Sequence, residues 1–498
     1  MKKLKFPTAQ TILLLIAGLV TLLTWVVPAG KYDTLAYNSE TELFTRTHAE
    51  GTESLPATQT TLEELEVKIP VEKFTSGDIY KPINIPGTYR EVEAKPQGFG
   101  AFIQSPVKGI IESADIIFLV LFIGGLIGIM NRTGAFDAGI SWLARVLRGR
   151  EYLLIILVTT LIAAGGTTFG LAEETMAFYP ILIPVFIAAG YDAMVGLACI
   201  FLGSAVGSMC STVNPFSTII ASDAAGVNWT SGIGGRVTIL LICLTITIVY
   251  ILRYAARVKK DPSRSIIFEH KESIEKMFGL SHAQTNSKLT GRLRFIIAIF
   301  SLSFIIMVIG VSMLDWWFVE MTATFLVGAI LIGIVGRIRE SDFVEDFSNG
   351  AGALLGVAFI IGIARGVSVI MTDGLIGDTM LYNASGLTTG MEKGVFSNVM
   401  FLIYNGLSFF IPSSSGMAVL TMPIMAPLAD TAGVAREVVV NAYMYGLGLF
   451  FFINPTGLIL AALAIVKIGF NKWIKFIMPL FWILLVTLMG FLTVSAYI

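Results

Sequence analysis

The sequence predicts an all-α polytopic membrane protein: an inverted repeat with about nine full spans, two re-entrant hairpins and two broken helices. Three observations predict it. Of 498 residues, 55% are hydrophobic and only 14% charged, with mean hydropathy +0.78; a soluble domain carries about 25% charged residues. Polar stretches also lie deep in apolar sequence, at 165–175 and 211–215 in the first half and 410–416 and 452–457 in the second. An unpartnered buried polar group costs roughly 2–7 kcal/mol, and non-helical backbone at membrane depth survives only inside protein or beside a water-filled cavity. Finally, the halves resemble each other. Residues 179–190 and 422–433 both carry P-I-x-x-P followed by Gly at the same distance. The Asn-Pro pairs at 214–215 and 454–455 correspond, as do Thr133-Gly134 and Asp373-Gly374.

The elements follow in order. Lys2, Lys3 and Lys5 precede an apolar run at 8–27, which places the N-terminus in the cytoplasm. A cleaved signal peptide competes, because Val27-Pro28-Ala29 is a passable cleavage site; a partner helix later in the repeat favours a retained helix. Residues 30–100 are polar with an acidic excess and suit an extracytoplasmic cap, strand-rich or irregular. Residues 97–113 read as an interfacial amphipathic helix. A span at 114–130 runs inward to Arg132, and 134–150, with Arg145, Arg148 and Arg150, lies at the cytoplasmic surface. Twelve helical residues at 153–164 reach only ~18 Å, about the bilayer middle. Pro180 and Pro184 interrupt the next arm, 176–189. The pair makes a re-entrant hairpin with its tip at 167–175. A long span at 193–225 breaks at Asn214-Pro215, and 233–254 returns to Arg253, Arg257, Lys259 and Lys260.

After a cytoplasmic linker at 257–294, residues 295–314 go out, Asp315-Trp316-Trp317 turns at the interface, and 318–335 return to Arg337 and Arg339. Residues 353–371 go out, and 373–393 form a Gly-rich outer segment. Residues 395–410 and 417–429 form a second hairpin, entering from outside. Residues 438–466 break at Asn454-Pro455, and 473–497 leave the C-terminus outside. Equivalent elements are an odd number of crossings apart, so the repeats are inverted. That is an architecture of secondary transporters, whose half-helix ends hold substrate and ion near the midplane.

The candidate site lies on the tips and breaks. Ser413, Ser414 and Ser415 offer hydroxyls and N–H groups at a helix start, which attracts a carboxylate; an ordinary N-cap is the plainer role. Glu173 and Glu174, with Thr175 beside them, need a reason to sit mid-membrane. A substrate ammonium site, a sodium ligand and a proton carrier are open, as is a structural pair with Arg365 or a helix cap. Adjacent helical residues point about 100° apart, so one faces the site, and Glu174 is favoured. Asn214 and Asn454 precede prolines that free carbonyls, an oxygen set suited to sodium and substrate. Ser211, Thr212 and Thr456 supply further ligands. Asp192 and Asp223, near helix ends, are expected in solvent.

Cys199, Cys210 and Cys243 fall in apolar spans, which excludes a disulfide framework. His48, His270 and His282 fall in polar loops. No span therefore holds a histidine base, which disfavours an intramembrane hydrolase; no cofactor is called for, and sodium is the one metal in view. A net charge of −1 carries no nucleic-acid footprint. A channel is disfavoured because opposed hairpins plug a pathway.

The 412–416 Pro-Ser-Ser-Ser-Gly tip, the Glu173-Glu174 tip and the two Asn-Pro breaks resemble the C4-dicarboxylate anaerobic carrier-like family. The nearer likeness is to its branch described as basic amino acid antiporters, and it runs from Phe6 onward. The resemblance implies a homodimer in a bacterial inner membrane, with elevator motion of a transport domain against a scaffold. Hairpin Ser/Thr/Asn motifs in that superfamily bind sodium and carboxylate; here Glu173-Glu174-Thr175 replaces a neutral triplet. The implied division is a first helix at 1–29, an insertion at 30–100, scaffold at 101–150 and 294–393, transport domain at 151–256 and 394–498, and a linker at 257–293. The expectation is a secondary active carrier of a small carboxylate-bearing metabolite. An arginine- or ornithine-type substrate, by ion coupling or exchange, comes first, and a C4-dicarboxylate second.

Overall fold

The computed structural model describes residues 7–48, 51–135, 138–139, 142, 149–277, 290–314, 316–388 and 390–498. Lys2, Lys3, Lys5, Arg145, Arg148, His282 and Asp315 lie outside the described residues. Seven described helices are long and apolar enough to cross a bilayer: Ala9–Val26, Ala114–Thr133, Ile233–Lys260, Gly291–Val311, Phe318–Gly336, Leu355–Asp373 and Phe470–Ser495. Their outward faces carry bare apolar side chains, such as Leu15, Leu22 and Val26 on the first, as lipid contact requires. The protein is a multi-pass membrane protein.

The remaining two expected spans are interrupted. The first runs as Ala193–Met209, an irregular stretch, one π-helical turn at Pro215–Ile219, and Ile220–Ala224. The second runs as Arg436–Phe450 and Ile459–Val466. Each proline lacks an N–H, and its asparagine is non-helical, as residues before proline tend to be. Asn214 has φ −63° and ψ 120°.

Two pairs of helical arms precede these broken helices. The first pair is Tyr152–Thr168 and Tyr179–Ala188; the second is Lys393–Phe410 and Ser414–Ala432. The first arm is longer than expected, at 17 residues, or roughly 25 Å at 1.5 Å each. Gly165 to Thr168 stay helical because Gly166 is pressed against the backbone of Ser204 and Gly207, which leaves no room to unwind. The tip therefore begins at Phe169, not Thr167. A Cβ at Gly207 would overlap the Ala163 carbonyl. In the second half a Cβ at Gly446 would meet the Phe401 carbonyl at 2.5 Å. Such small-residue contacts are how helices associate when lipid offers no hydrophobic drive.

Other expectations need correction. Residues 97–113 do form a helix, Phe99–Glu112, but it packs on Leu355–Asp373 through Gly109, Gly362 and Gly366. Glu340–Ala353 is a helix; its charges hid it from a hydropathy reading. Gly377–Gly386 in the Gly-rich outer segment is helical too. Asp192 and Asp223 are not solvated. Asp192 accepts from Tyr254 Oη at 2.7 Å, Ser265 Oγ at 2.6 Å and Val195 N at 3.0 Å. Asp223 is 2% exposed and pairs with Lys73 of the cap at 3.1 Å.

The cap is a small antiparallel sheet. After a short strand β1 (Gly30–Lys31), strands β2 (Thr34–Asn38), β3 (Leu43–His48), β4 (Gly51–Pro56) and β5 (Ile83–Asn84) lie in the order β4-β3-β2-β5. Leu35, Phe44, Leu62, Phe74 and Ile83 form its core. Asp33, 2% exposed, takes Arg46 and Arg90 at 2.7 Å each, and so is buried as a paired charge. The cap's apolar core is continuous with that of the arms and broken helices.

Candidate functional site

The residues singled out from the sequence assemble into two joints, one in each half. In the first joint, Thr167 on the first arm meets the break. Its hydroxyl accepts the Thr212 N–H at 2.9 Å and lies 3.1 Å from the Thr212 hydroxyl. The Thr167 carbonyl accepts from Val213 N at 3.2 Å. Asn214 donates from Nδ2 to the Gly166 carbonyl at 3.2 Å, and its Oδ1 accepts from Phe216 N at 2.8 Å. Ser211 Oγ accepts from Asn214 N at 3.1 Å and sits 2.5 Å from the Thr218 hydroxyl.

The second joint repeats this pattern. Asn454 donates from Nδ2 to the Ser408 carbonyl at 2.9 Å, and its Oδ1 accepts from Thr456 N at 3.0 Å and Thr456 Oγ1 at 2.8 Å. Thr456 Oγ1 also reaches the Phe409 carbonyl at 3.1 Å. In both halves the asparagine amide ties an arm to a break and its oxygen closes an i to i+2 turn. The carbonyls freed by unwinding are thus partly satisfied within the joint. Asn214, Ser211, Thr212, Asn454 and Thr456, expected as ion or substrate ligands, already serve one another here.

The joints touch. Tyr443 Oη, on the second broken helix, donates to the Ser414 carbonyl at 2.7 Å. The next residue, Met444, accepts from Thr218 at 3.1 Å, and Thr218 leads to Ser211. Neighbouring residues of the second broken helix thus contact the second tip and the first broken helix. Tyr443, which sequence reasoning missed, contacts the second tip; a lone tyrosine in an apolar helix carries no positional signal.

At the first tip, Glu173 and Glu174 begin a short 3-10 turn, Glu173–Ala177. Both are half-buried, and neither is in an ion pair among the described residues. Arg365 does not reach them; it pairs with Glu112 at 3.0 Å. Glu174, favoured to face the site, folds back and accepts the Ala172 N–H at 3.0 Å. Glu173 instead lies within electrostatic reach of Asp115, at the start of Ala114–Thr133. Glu173, Glu174 and Asp115 thus gather three carboxyl groups that no cation pairs with among the described residues. Asp115 was missed because it reads as an ordinary first-turn acid.

At the second tip, Ser413 is the N-cap; its hydroxyl accepts from Gly416 N at 3.2 Å. The plain capping role is real for Ser413. Ser414 and Ser415 open the helix, where free N–H groups and the dipole favour an anion. Thr175 is buried behind the first tip. The described residues hold no cluster of His, Cys, Asp and Glu suited to a metal.

Three comparisons bear on this arrangement. The family described as C4-dicarboxylate anaerobic carrier matches residues 6–497. A Haemophilus influenzae protein without an assigned activity is 42% identical over 481 residues, 96% of this chain and 94% of its own. The Escherichia coli K12 protein named "Putative basic amino acid antiporter YfcC" is 30% identical over 489 residues, 94% of this chain and 92% of its own. Among solved structures, the Alcanivorax borkumensis YdaH transporter aligns at TM-score 0.39 and 13% identity, covering 98% of each chain. Neisseria gonorrhoeae MtrF, from a class of antimetabolite efflux pumps, aligns at 0.40 and 15%, covering 99% of this chain and 96% of its own. The family match and the YfcC relative make the chain a membrane transporter, not an enzyme.

Proposed function

We propose that this chain, which belongs to the C4-dicarboxylate anaerobic carrier family, is a secondary active carrier of a basic amino acid, of the arginine or ornithine type. The substrate carboxylate meets the Ser414–Ser415 helix start, and its cationic end meets Glu173 and Asp115, with Glu174 shaping the tip. The observation that carries this reading is the uncompensated acidic tip. A carboxylate at membrane depth costs at least ~2.5–3.5 kcal/mol, and a cationic cargo repays it. The YfcC relative's name points the same way.

In this proposal the two arm pairs are re-entrant hairpins of opposite orientation. They move with the broken helices, Ile233–Lys260 and Phe470–Ser495 as an elevator against the other spans, in a homodimer of the inner membrane. The recurring order of arms, tip, broken helix and long helix supports it. Proteoliposome uptake of arginine, ornithine, lysine and succinate, with and without sodium and pH gradients, tests the reading. Saturable arginine or ornithine uptake or exchange is expected. A C4-dicarboxylate carrier is the second reading, favoured by the family's own description; succinate uptake without arginine uptake would establish it and overturn the first.

A further inference from the structure

We propose that Lys81 of the extracytoplasmic cap is a ligand for the substrate's carboxylate, delivered to the second tip from outside. Lys81 Nζ donates to Ser415 Oγ at 2.7 Å. These residues are 334 apart in sequence, and the contact is built rather than incidental. Just beyond Lys81, β5 packs on the Ser414–Ala432 helix. Ile83 and Asn84 are fully buried, and Asn84 Nδ2 is held by Asp378 Oδ1 at 3.2 Å. Lys73 pins the same cap to the first broken helix through Asp223.

The placement is electrostatically wrong for an empty protein. The helix start at Ser415 is a positive pole, and a lysine belongs at the other end. The Arg365 guanidinium lies within reach of the ammonium as a like charge. Lys81 makes no ion pair with a carboxylate among the described residues, although it is half-buried. Burial and Arg365 together hold it below the ordinary lysine range. A carboxylate between the Lys81 ammonium and the Ser414–Ser415 N–H groups resolves the conflict. It gains charge-assisted hydrogen bonds from both sides. The cap is then part of the outward-facing site and not a solvated insertion.

The inference rests on a carboxylate-bearing substrate, common to both readings above, and does not depend on which substrate it is. Reconstituted protein carrying Lys81→Met, and separately Lys81→Arg, is assayed for external and internal KM with whichever of arginine or succinate the wild type carries. Loss of one charge-assisted bond predicts an external KM raised about tenfold or more, little change in kcat or internal KM, and rescue by Lys81→Arg. For an arginine carrier, inhibition by external agmatine, which lacks the carboxylate, stays unchanged in Lys81→Met. An unchanged external KM overturns the proposal, as does a fall, which would mark Lys81 as a plug in the substrate's place. A wild type that carries neither substrate refutes the previous section's reading; external succinate and arginine binding to detergent-purified wild type and Lys81→Met then still tests Lys81, and equal affinities overturn it.

Discussion

Replacing Asn454 by alanine removes three hydrogen bonds from a residue with no solvent exposure. The Ser408 carbonyl and Thr456 N–H lose that partner, while Thr456 Oγ1 keeps Phe409. Interhelical hydrogen bonds within membranes average about 0.6 kcal/mol, and the Ser408 bond is the interhelical one, so about 0.6 kcal/mol is the floor. Stranded buried groups raise the cost toward about 4 kcal/mol. The assay is equilibrium unfolding in detergent, and the molecule supplies its own reporter: Trp473 Nε1 donates to Phe452 O at 2.8 Å, two residues before the break. Asn214→Ala removes the two side-chain bonds of the other joint and should cost somewhat less. Asn454→Asp should rescue poorly, because it turns an acceptor toward the Ser408 carbonyl. A change below about 0.5 kcal/mol for Asn454→Ala, the scale of a surface substitution, would refute the view that the asparagines hold tip to break.

Other outcomes are expected. Lys73→Ala strands the buried Asp223 carboxylate; with Lys73 itself a third exposed, the loss should be about 1–3 kcal/mol, read as faster proteolysis of the cap. Gly207→Leu drives a side chain into the Ala163 backbone and should cost at least about 2 kcal/mol in thermal unfolding, whereas Gly406→Ala, at a position open to solvent or lipid, should be neutral. Glu173→Gln should weaken basic substrate binding more than Glu174→Gln, by isothermal titration, because Glu173, unlike Glu174, has Asp115 within electrostatic reach. External KM should rise with pH. Lys81 is held below the ordinary lysine range, so its ammonium is lost as pH climbs through that depressed pKa, and carboxylate binding goes with it; Lys81→Arg should abolish this alkaline loss.

The features legible in the sequence were local ones. Hydropathy marks the seven unbroken spans, and each Asn-Pro marks a break because proline's missing N–H acts on its own neighbours. The serine tip announces a helix start by the same local logic. The rest depends on distant partners. Nothing near Lys81 in sequence says that it meets Ser415, and nothing near Asp115 says that it comes within electrostatic reach of Glu173. Asp192 misled because its charge was assigned to solvent when a tyrosine and a serine hydroxyl were waiting for it. Glu340–Ala353 escaped because its large apolar residues, Phe343, Val344 and Phe347, are too few to lift its hydropathy.

The central claim is that both tips serve one substrate. The three native cysteines are buried, so Ser414→Cys and Glu173→Cys can be labelled singly with a charged maleimide in membranes. The account predicts that one transported substrate slows labelling at both positions. Protection at one tip alone, or at neither, would contradict it.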